Sequence, residues 1–112
     1  MRSWKDDLRD QLVVQGFDMG SSLLIDTIDN TVSELSEHLD FFNRLPPRKK
    51  QALSNIAFQI GVTGLFGFRR MLIAVKHRHW SGARREALDS LWARKNPEIA
   101  YEIAEMLGEE EI

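Results

Sequence analysis

The sequence predicts an all-α fold, a compact orthogonal cluster of six or seven short helices that forms one domain over residues 1–112. Apolar residues recur at spacings of three and four in every apolar segment, which is typical of amphipathic helices and unlike the alternation of a strand. No internal repeat or low-complexity linker interrupts the pattern. The chain has 112 residues, 43% of them apolar, and is long enough to bury one hydrophobic core.

Residues 1–20 contain the first predicted helix and a short connection. Ser3 is placed to cap the start of this helix, and the acidic residues of its first turn suit the helix dipole. Gly16 and Gly20 bracket a break before the second helix. The apolar positions of the first helix are Trp4, Leu8, Leu12 and Val13.

Residues 21–108 form the predicted helical core, which begins with a helix capped by Ser21 or Ser22. The proline pair 46–47 ends that segment and starts a third helix, with Pro47 in the first turn. This helix is predicted to end at two glycines and to lead into a short turn that Thr63 could cap. The two glycines are Gly61 and Gly64.

The last third of the chain predicts three further helical segments. One covers residues 68–77, and a second begins at Ser81 and runs to about Trp92. Asn96 and Pro97 read as the N-cap and first position of the last helix. Residues 109–112 form an acidic tail that we expect to be solvated and frayed.

The net charge of −2 conceals a strong segregation along the chain. Residues 1–45 hold 4 basic and 9 acidic residues, residues 46–95 hold 11 and 2, and residues 96–112 hold 0 and 6. Either the acidic flanks pack beside the basic centre and compensate it, or the centre forms a surface for nucleic acid or a cell-wall glycan. The pI of about 5.9 makes nucleic acid the less favoured partner. The candidate basic surface comprises Arg69, Arg70, Lys76, Arg78, Arg84 and Arg85.

Several classes of protein are excluded by composition. The chain has no cysteine, which excludes a disulfide scaffold, a Cys-ligated metal and a Cys nucleophile. No apolar run approaches the ~18 residues of a membrane span, and the first ten residues lack the apolar core of a signal peptide, so a cytoplasmic location is expected. His77 and His79 fit a solvated turn better than a metal pair, and we expect no metal and no cofactor.

The segment from Ala52 to Phe68 carries a distinctive pattern of an apolar helix with Asn, then Phe-Gln-x-Gly, Thr-Gly and Gly-Phe. It resembles the central helix and glycine-rich turn of the phage-type lysozymes, the T-even endolysin family of muramidases. The resemblance covers about residues 22–108 and implies a bacterial phage or prophage origin, with release by phage-type lysis. The matching residues are Asn55, Phe58, Gln59, Gly61, Thr63, Gly64, Gly67 and Phe68, followed by Trp80, Ser90, Trp92, Asn96 and Pro97.

For the candidate cleft residues, the resemblance implies a mainly structural role. The side chain of Gln59 and the indole of Trp92 are expected to be buried and to meet in the core. In the family this region also borders the glycan cleft, so a role in binding remains the alternative. The residues concerned are Asn55, Phe58, Gln59, Gly61, Thr63, Gly64 and Trp92.

The chain departs from the family where the family does its chemistry. Phage-type lysozymes carry a catalytic Glu at the end of the first helix, and Gln15 occupies that position here. The family's β-lobe, with its second acidic residue, has no counterpart between Gln15 and the second helix; Asp18 is a doubtful substitute. Two arginines of the family's polar network are replaced by Leu91 and Ile99. No catalytic residue is therefore assigned.

These observations favour a degenerate lysozyme-like protein, a non-catalytic pseudoenzyme that binds peptidoglycan or a protein partner. One alternative is a working muramidase, which acts through Asp18 or Glu34 or with a partner that supplies the second wall. The other is a small phage regulatory protein that binds nucleic acid or protein through its basic face. Loss of the β-lobe is also expected to expose Phe17, Met19 and Leu23, which a second copy of the chain would cover.

Overall fold

The computed structural model describes residues 2–111 and confirms the all-α prediction. Within that range the chain forms seven α-helices and one 3₁₀ turn, and no strand. Helices α3 to α7 pack around the main core, whereas α1 lies against α3 and α2. The helices are α1 (Trp4–Val14), α2 (Ser21–His38), α3 (Pro47–Phe66), α4 (Arg69–Lys76), α5 (Trp80–Leu88), α6 (Leu91–Lys95) and α7 (Pro97–Gly108), with the 3₁₀ turn at Phe42–Arg44.

The N-terminal helix starts as the sequence predicts. Ser3 and Asp6 form a reciprocal capping box, in which each side chain accepts a hydrogen bond from the backbone N–H of the other residue. Six residues then connect α1 to α2, and both glycines of this connection adopt positive φ, 102° at Gly16 and 83° at Gly20. Only glycine adopts such angles without a steric penalty, so these two residues set the tight reversal.

Three of the predicted helix boundaries are wrong, and each error concerns a serine. Helix α2 is capped by neither of the two serines 21–22, because Gly20 occupies the N-cap position and offers no side chain. Ser81 lies inside α5, which begins at Trp80 and ends at Leu88 rather than near Trp92. Ser90 caps a separate helix, α6, by accepting a hydrogen bond from the N–H of Ala93 at 3.1 Å.

Helix α3 is interrupted at Gly61, as predicted, but it does not end at Gly64, and Thr63 lies inside its last part rather than at the cap of a separate turn. Gly61 adopts φ 84° and ψ 159°, and the helix resumes beyond it in another direction. Pro47 occupies the first turn of α3 and Pro97 that of α7, as predicted, although Asn96 makes no capping bond. No single helix among the described residues is long and apolar enough to cross a membrane. Helices α3 and α4, which meet at 101°, satisfy that test only when they are taken together.

The buried apolar residues form two clusters. The larger one is built mainly from α3 to α7, including Trp80 and Trp92, with Leu35 of α2 and Phe42 of the 3₁₀ turn. The smaller one joins α1 to α2, and Phe17, Met19 and Phe58 pack against its edge. Its buried members are Leu8, Leu12, Leu24 and Ile28.

The acidic tail is docked, not frayed, as far as Glu111; Ile112 lies outside the described residues. Lys49 has a fully buried side chain whose Nζ donates to the backbone carbonyls of Met106 at 2.9 Å, Leu107 at 3.1 Å and Glu109. The guanidinium of Arg48 binds both carboxylate oxygens of Glu109, at 2.8 and 3.1 Å. Burial lowers the pKa of Lys49 below its ordinary value.

Candidate functional site

A cluster of three side-chain amides lies where α1 ends against the middle of α3. The Nε2 of Gln59 donates to the Oε1 of Gln15 at 2.9 Å and to the Oδ1 of Asn55 at 3.0 Å. Asn55 is completely buried, whereas Gln15 and Gln59 are half-buried. We call Gln15, Asn55 and Gln59 the amide cluster.

A second amide pair extends the polar contact between α1 and α3. The Nε2 of Gln51 donates to the Oε1 of Gln11 at 3.1 Å. The Nε2 of Gln11 in turn donates to the Oε1 of Glu102 at 3.0 Å. The two helices are therefore joined by side-chain hydrogen bonds at two levels, and Phe58 of α3 also packs against the cluster that contains Leu8 and Leu12.

Four buried side-chain polar atoms of α3 and the end of α1 lack a hydrogen-bond partner among the described residues. They are the Nε2 of Gln15, the Oε1 of Gln51, the Oγ of Ser54 and the Nδ2 of Asn55. Buried polar atoms in folded proteins are nearly always paired with protein or water. Three of the four atoms belong to Gln15, Gln51 and Asn55, so most of the unpaired polar atoms lie in the amide contacts between α1 and α3.

The sequence analysis missed Gln11, Gln51 and Ser54 in this region. A signal was present, because Gln51, Asn55 and Gln59 are spaced by four and therefore lie on one side of α3. That side faces α1 and is buried at Gln51 and Asn55. A polar stripe at helical spacing inside an otherwise apolar helix predicts polar partners on the neighbouring helix.

No hydrogen bond joins Gln59 to Trp92 among residues 2–111, because both hydrogen bonds of the Gln59 amide go to the amide cluster. The expected contact between the two side chains stays a prediction, and Gln59 is half-buried. Trp92 is buried as expected, but its ring packs edge-on against Phe68, with the ring centroids 6.1 Å apart.

The other candidate cleft residues occupy separate places. Phe58 packs edge-on against Phe17, with ring centroids 5.7 Å apart, and helps to cover the smaller core. Thr63 is exposed beyond the Gly61 break. At Gly64 an added Cβ would lie 3.0–3.2 Å from the side chain of Ile60, so this glycine permits a close contact within α3.

An open groove lies beside Trp92, between the junction of α3 with α4 and the junction of α5 with α6. It has a volume of ≈ 600 Å³. Phe68 and Trp92 line its apolar part, and charges of both signs, including Glu86, line the remainder. Ser90 and the exposed Leu91 belong to the same lining.

Four of the six predicted basic surface residues form neither an ion pair nor a side-chain hydrogen bond in the described part of the chain. These are Arg69, Arg70, Lys76 and Arg85, and all four are exposed. The other two are engaged elsewhere. The Nη2 of Arg78 donates to the carbonyl of Arg44 at 3.0 Å, and the Nε of Arg84 pairs with Glu105 at 2.6 Å.

The edge that loss of the β-lobe was expected to expose is only partly exposed. Phe17 and Met19 turn inward onto the smaller core, which corrects the expectation that they had lost their neighbours. Leu23 is exposed as expected, and Val13 and Val14 beside the connection are exposed as well. A homodimer through this edge stays a prediction.

Asp18 and Glu34, the two carboxylates considered for catalysis, are not hydrogen-bonded to the amide cluster. Asp18 and Glu34 are both exposed, and neither bonds to Gln15, Asn55 or Gln59. In residues 2–111 there is no group of three or more His, Asp or Glu side chains able to hold a metal ion. The rings of His77 and His79 are 6.3 Å apart at the surface.

Comparison with known proteins gives one informative similarity. The chain is 31% identical over 81 residues to "Probable T4-type lysozyme 2" of Dictyostelium discoideum. This supports a lysozyme-like family. The match includes 72% of the chain but only 45% of the relative, so the chain spans less than half of that lysozyme. No protein-family model matches the chain, and no solved structure matches it significantly.

Proposed function

We propose that this lysozyme-like chain is a non-hydrolytic module that binds peptidoglycan glycan. The observation that carries the proposal is the amide cluster. The family's proton donor belongs at the end of the first helix, and Gln15 stands there in a hydrogen bond with another amide, Gln59. An amide has no proton to give to a leaving glycosidic oxygen at neutral pH.

Hydrolysis of a glycosidic bond usually needs two carboxyl groups on opposite sides of the scissile bond, about 5 to 9.5 Å apart. One acts as the acid, and the other acts as a nucleophile or activates water. The connection between α1 and α2 has six residues, of which only Asp18 is acidic, and its side chain is exposed. These features support a loss of hydrolysis rather than an altered hydrolytic mechanism.

The groove beside Trp92 is the site we propose for the glycan. Its volume of ≈ 600 Å³ lies within the range of small-ligand sites, about 300–1,000 Å³. The apolar lining from Phe68 and Trp92 suits the faces of sugar rings, and Glu86 and Ser90 offer hydrogen-bonding groups for hydroxyls. The resemblance of this part of the chain to the cleft border of phage-type lysozymes adds support.

Sedimentation with purified, insoluble peptidoglycan tests the proposal. We expect the chain to sediment with the peptidoglycan without clearing its turbidity. Leu91→Glu places a charge in the groove lining and should weaken binding about ten-fold, since about 1.4 kcal/mol corresponds to a factor of ten. Leu23→Glu is the matched control, because Leu23 and Leu91 are similarly exposed, at 57% and 59%, and Leu23 lies outside the groove. Absence of binding, or equal binding by both variants, would contradict the proposal.

A further inference from the structure

The outer side of α4 carries a concentration of cations that form no ion pair among the described residues. Arg69 and Arg70 also line the glycan groove, whereas Lys76 and Arg85 lie outside it. Arg69 and Lys76 are seven residues apart, so they lie on the same side of the helix, about 10 Å from each other along its axis. Arg70 lies beside them, and Arg85 of α5 lines the same surface groove of ≈ 380 Å³ as Arg70. We call Arg69, Arg70, Lys76 and Arg85 the α4 basic face.

The cations of α1 form ion pairs, unlike those of the α4 basic face. Lys5 pairs with Asp29 at 3.0 Å, and Arg9 pairs with Asp6 and with Asp10. The four residues of the α4 basic face form no such pair in the part of the chain that the structure describes. Glu86 is the carboxylate that lines the groove between Arg70 and Arg85, so the positive charges there exceed the negative ones.

We propose that the α4 basic face binds the phosphate backbone of duplex nucleic acid without reading its sequence. A guanidinium presents a planar fork of donors that matches a phosphate, and three of the four cations are arginines. Duplex DNA carries one negative charge per ~1.7 Å of axis. A row of cations about 10 Å long can therefore contact several phosphates.

The surrounding side chains favour a duplex over a single strand. Proteins that bind single strands stack the bases on accessible aromatic rings. Among the described residues, the groove between Arg70 and Arg85 is lined by no Phe, Tyr or Trp ring; the rings of Phe68 and Trp92 line the glycan groove instead. The acidic residues elsewhere on the chain repel the polymer, so binding is expected to be weak and to depend on this one face.

The salt dependence of duplex binding gives a quantitative test. Fluorescence anisotropy of a labelled 30-base-pair duplex with the wild-type chain should give a plot of log binding constant against log salt with a slope of about −3.6, because each of four phosphate contacts contributes about −0.9. Lys76→Gln/Arg85→Gln should halve the slope and weaken binding at least ten-fold at low salt. Neither residue lines the glycan groove, so this variant should bind peptidoglycan normally.

The matched control is Lys5→Gln/Arg9→Gln, which removes the same two residue types from α1. Its slope should equal that of the wild type, and circular dichroism should show that both double variants are folded. The proposal is overturned by an equal loss in both variants, by tighter binding to the single strand than to the duplex, or by absence of salt-dependent binding. It is also overturned if the α4 variant loses peptidoglycan binding but keeps duplex binding, because the face would then serve an anionic wall polymer.

Discussion

Replacement of Lys49 by Met tests whether the C-terminal tail is held by the buried ammonium group. The side chain of Lys49 is fully buried, and its Nζ lies 4.6 Å from the centre of the Trp80 ring. Met has a similar length and volume, so the substitution leaves no large cavity. It does remove the hydrogen bonds to the carbonyls at the end of α7.

The expected loss of stability follows from the two backbone carbonyls that are buried with Lys49, those of Met106 and Leu107. Leaving a buried acceptor without a partner costs about 1–3 kcal/mol, which gives about 2–6 kcal/mol for the two. Removal of a desolvated charge offsets part of this cost. We therefore expect Lys49→Met to lower the free energy of unfolding by about 2–4 kcal/mol.

Urea unfolding, followed by circular dichroism and by tryptophan fluorescence, measures this loss. Lys50→Met is the control, because Lys50 is half-buried and forms no ion pair in the described structure, and its effect should stay within about 0.5 kcal/mol. Equal stabilities of Lys49→Met and the wild type would refute the reasoning. That result would mean that water replaces the ammonium at the carbonyls, or that the tail is not docked in solution.

Two further predictions concern the backbone and the tail. Gly61→Ala should destabilise the fold by about 1–3 kcal/mol, because residue 61 has a φ of 84°. Gly82→Ala should stabilise it by about 0.5–1 kcal/mol, since an added Cβ there meets only ordinary contacts. Thermal unfolding measures both variants, and a change in stability of the same sign in the two would contradict the prediction. The hydrogen bond from Arg48 holds the pKa of Glu109 below its ordinary value. This solvent-screened ion pair should stabilise the fold by about 0.3–1 kcal/mol. The stabilisation should be complete above pH 4.5, the ordinary pKa, and should disappear as the pH falls through the lowered pKa. Unfolding curves of Glu109→Gln and wild type should therefore converge in acid, and a difference that grows in acid would show that the sign is wrong.

The sequence predicted best those features that depend on one or two neighbouring residues. The start of α1 at Ser3, the connection bracketed by Gly16 and Gly20, and the interruption at Gly61 all follow from local backbone preferences. The caps predicted at Ser21 or Ser22 and at Ser81 failed because a cap requires the exact residue at which a helix begins. The observed N-caps are Gly20 and His79, which lie one or two residues before those serines.

Features that depend on distant parts of the chain could not be read in the same way. Lys49 is 57 to 60 residues away from the carbonyls it binds, and no periodicity in the sequence connects them. The hydrogen bond of Gln59 with Gln15 was not predicted for the same reason, since Gln15 lies 44 residues away, at the end of α1. Burial of polar residues was predictable from helical spacing, but the identity of their partners required the packing of the helices.

Clearing of a peptidoglycan suspension by the wild type and by Gln15→Glu, with an active phage lysozyme as a positive control, tests the central claim most directly. We predict no clearing by either protein. A Glu at position 15 would accept the hydrogen bond from Gln59, which favours its ionised form, and the second carboxylate would still be missing. Clearing by the wild type would contradict the account, and clearing by Gln15→Glu alone would show that a competent cleft survives and lacks only its acid.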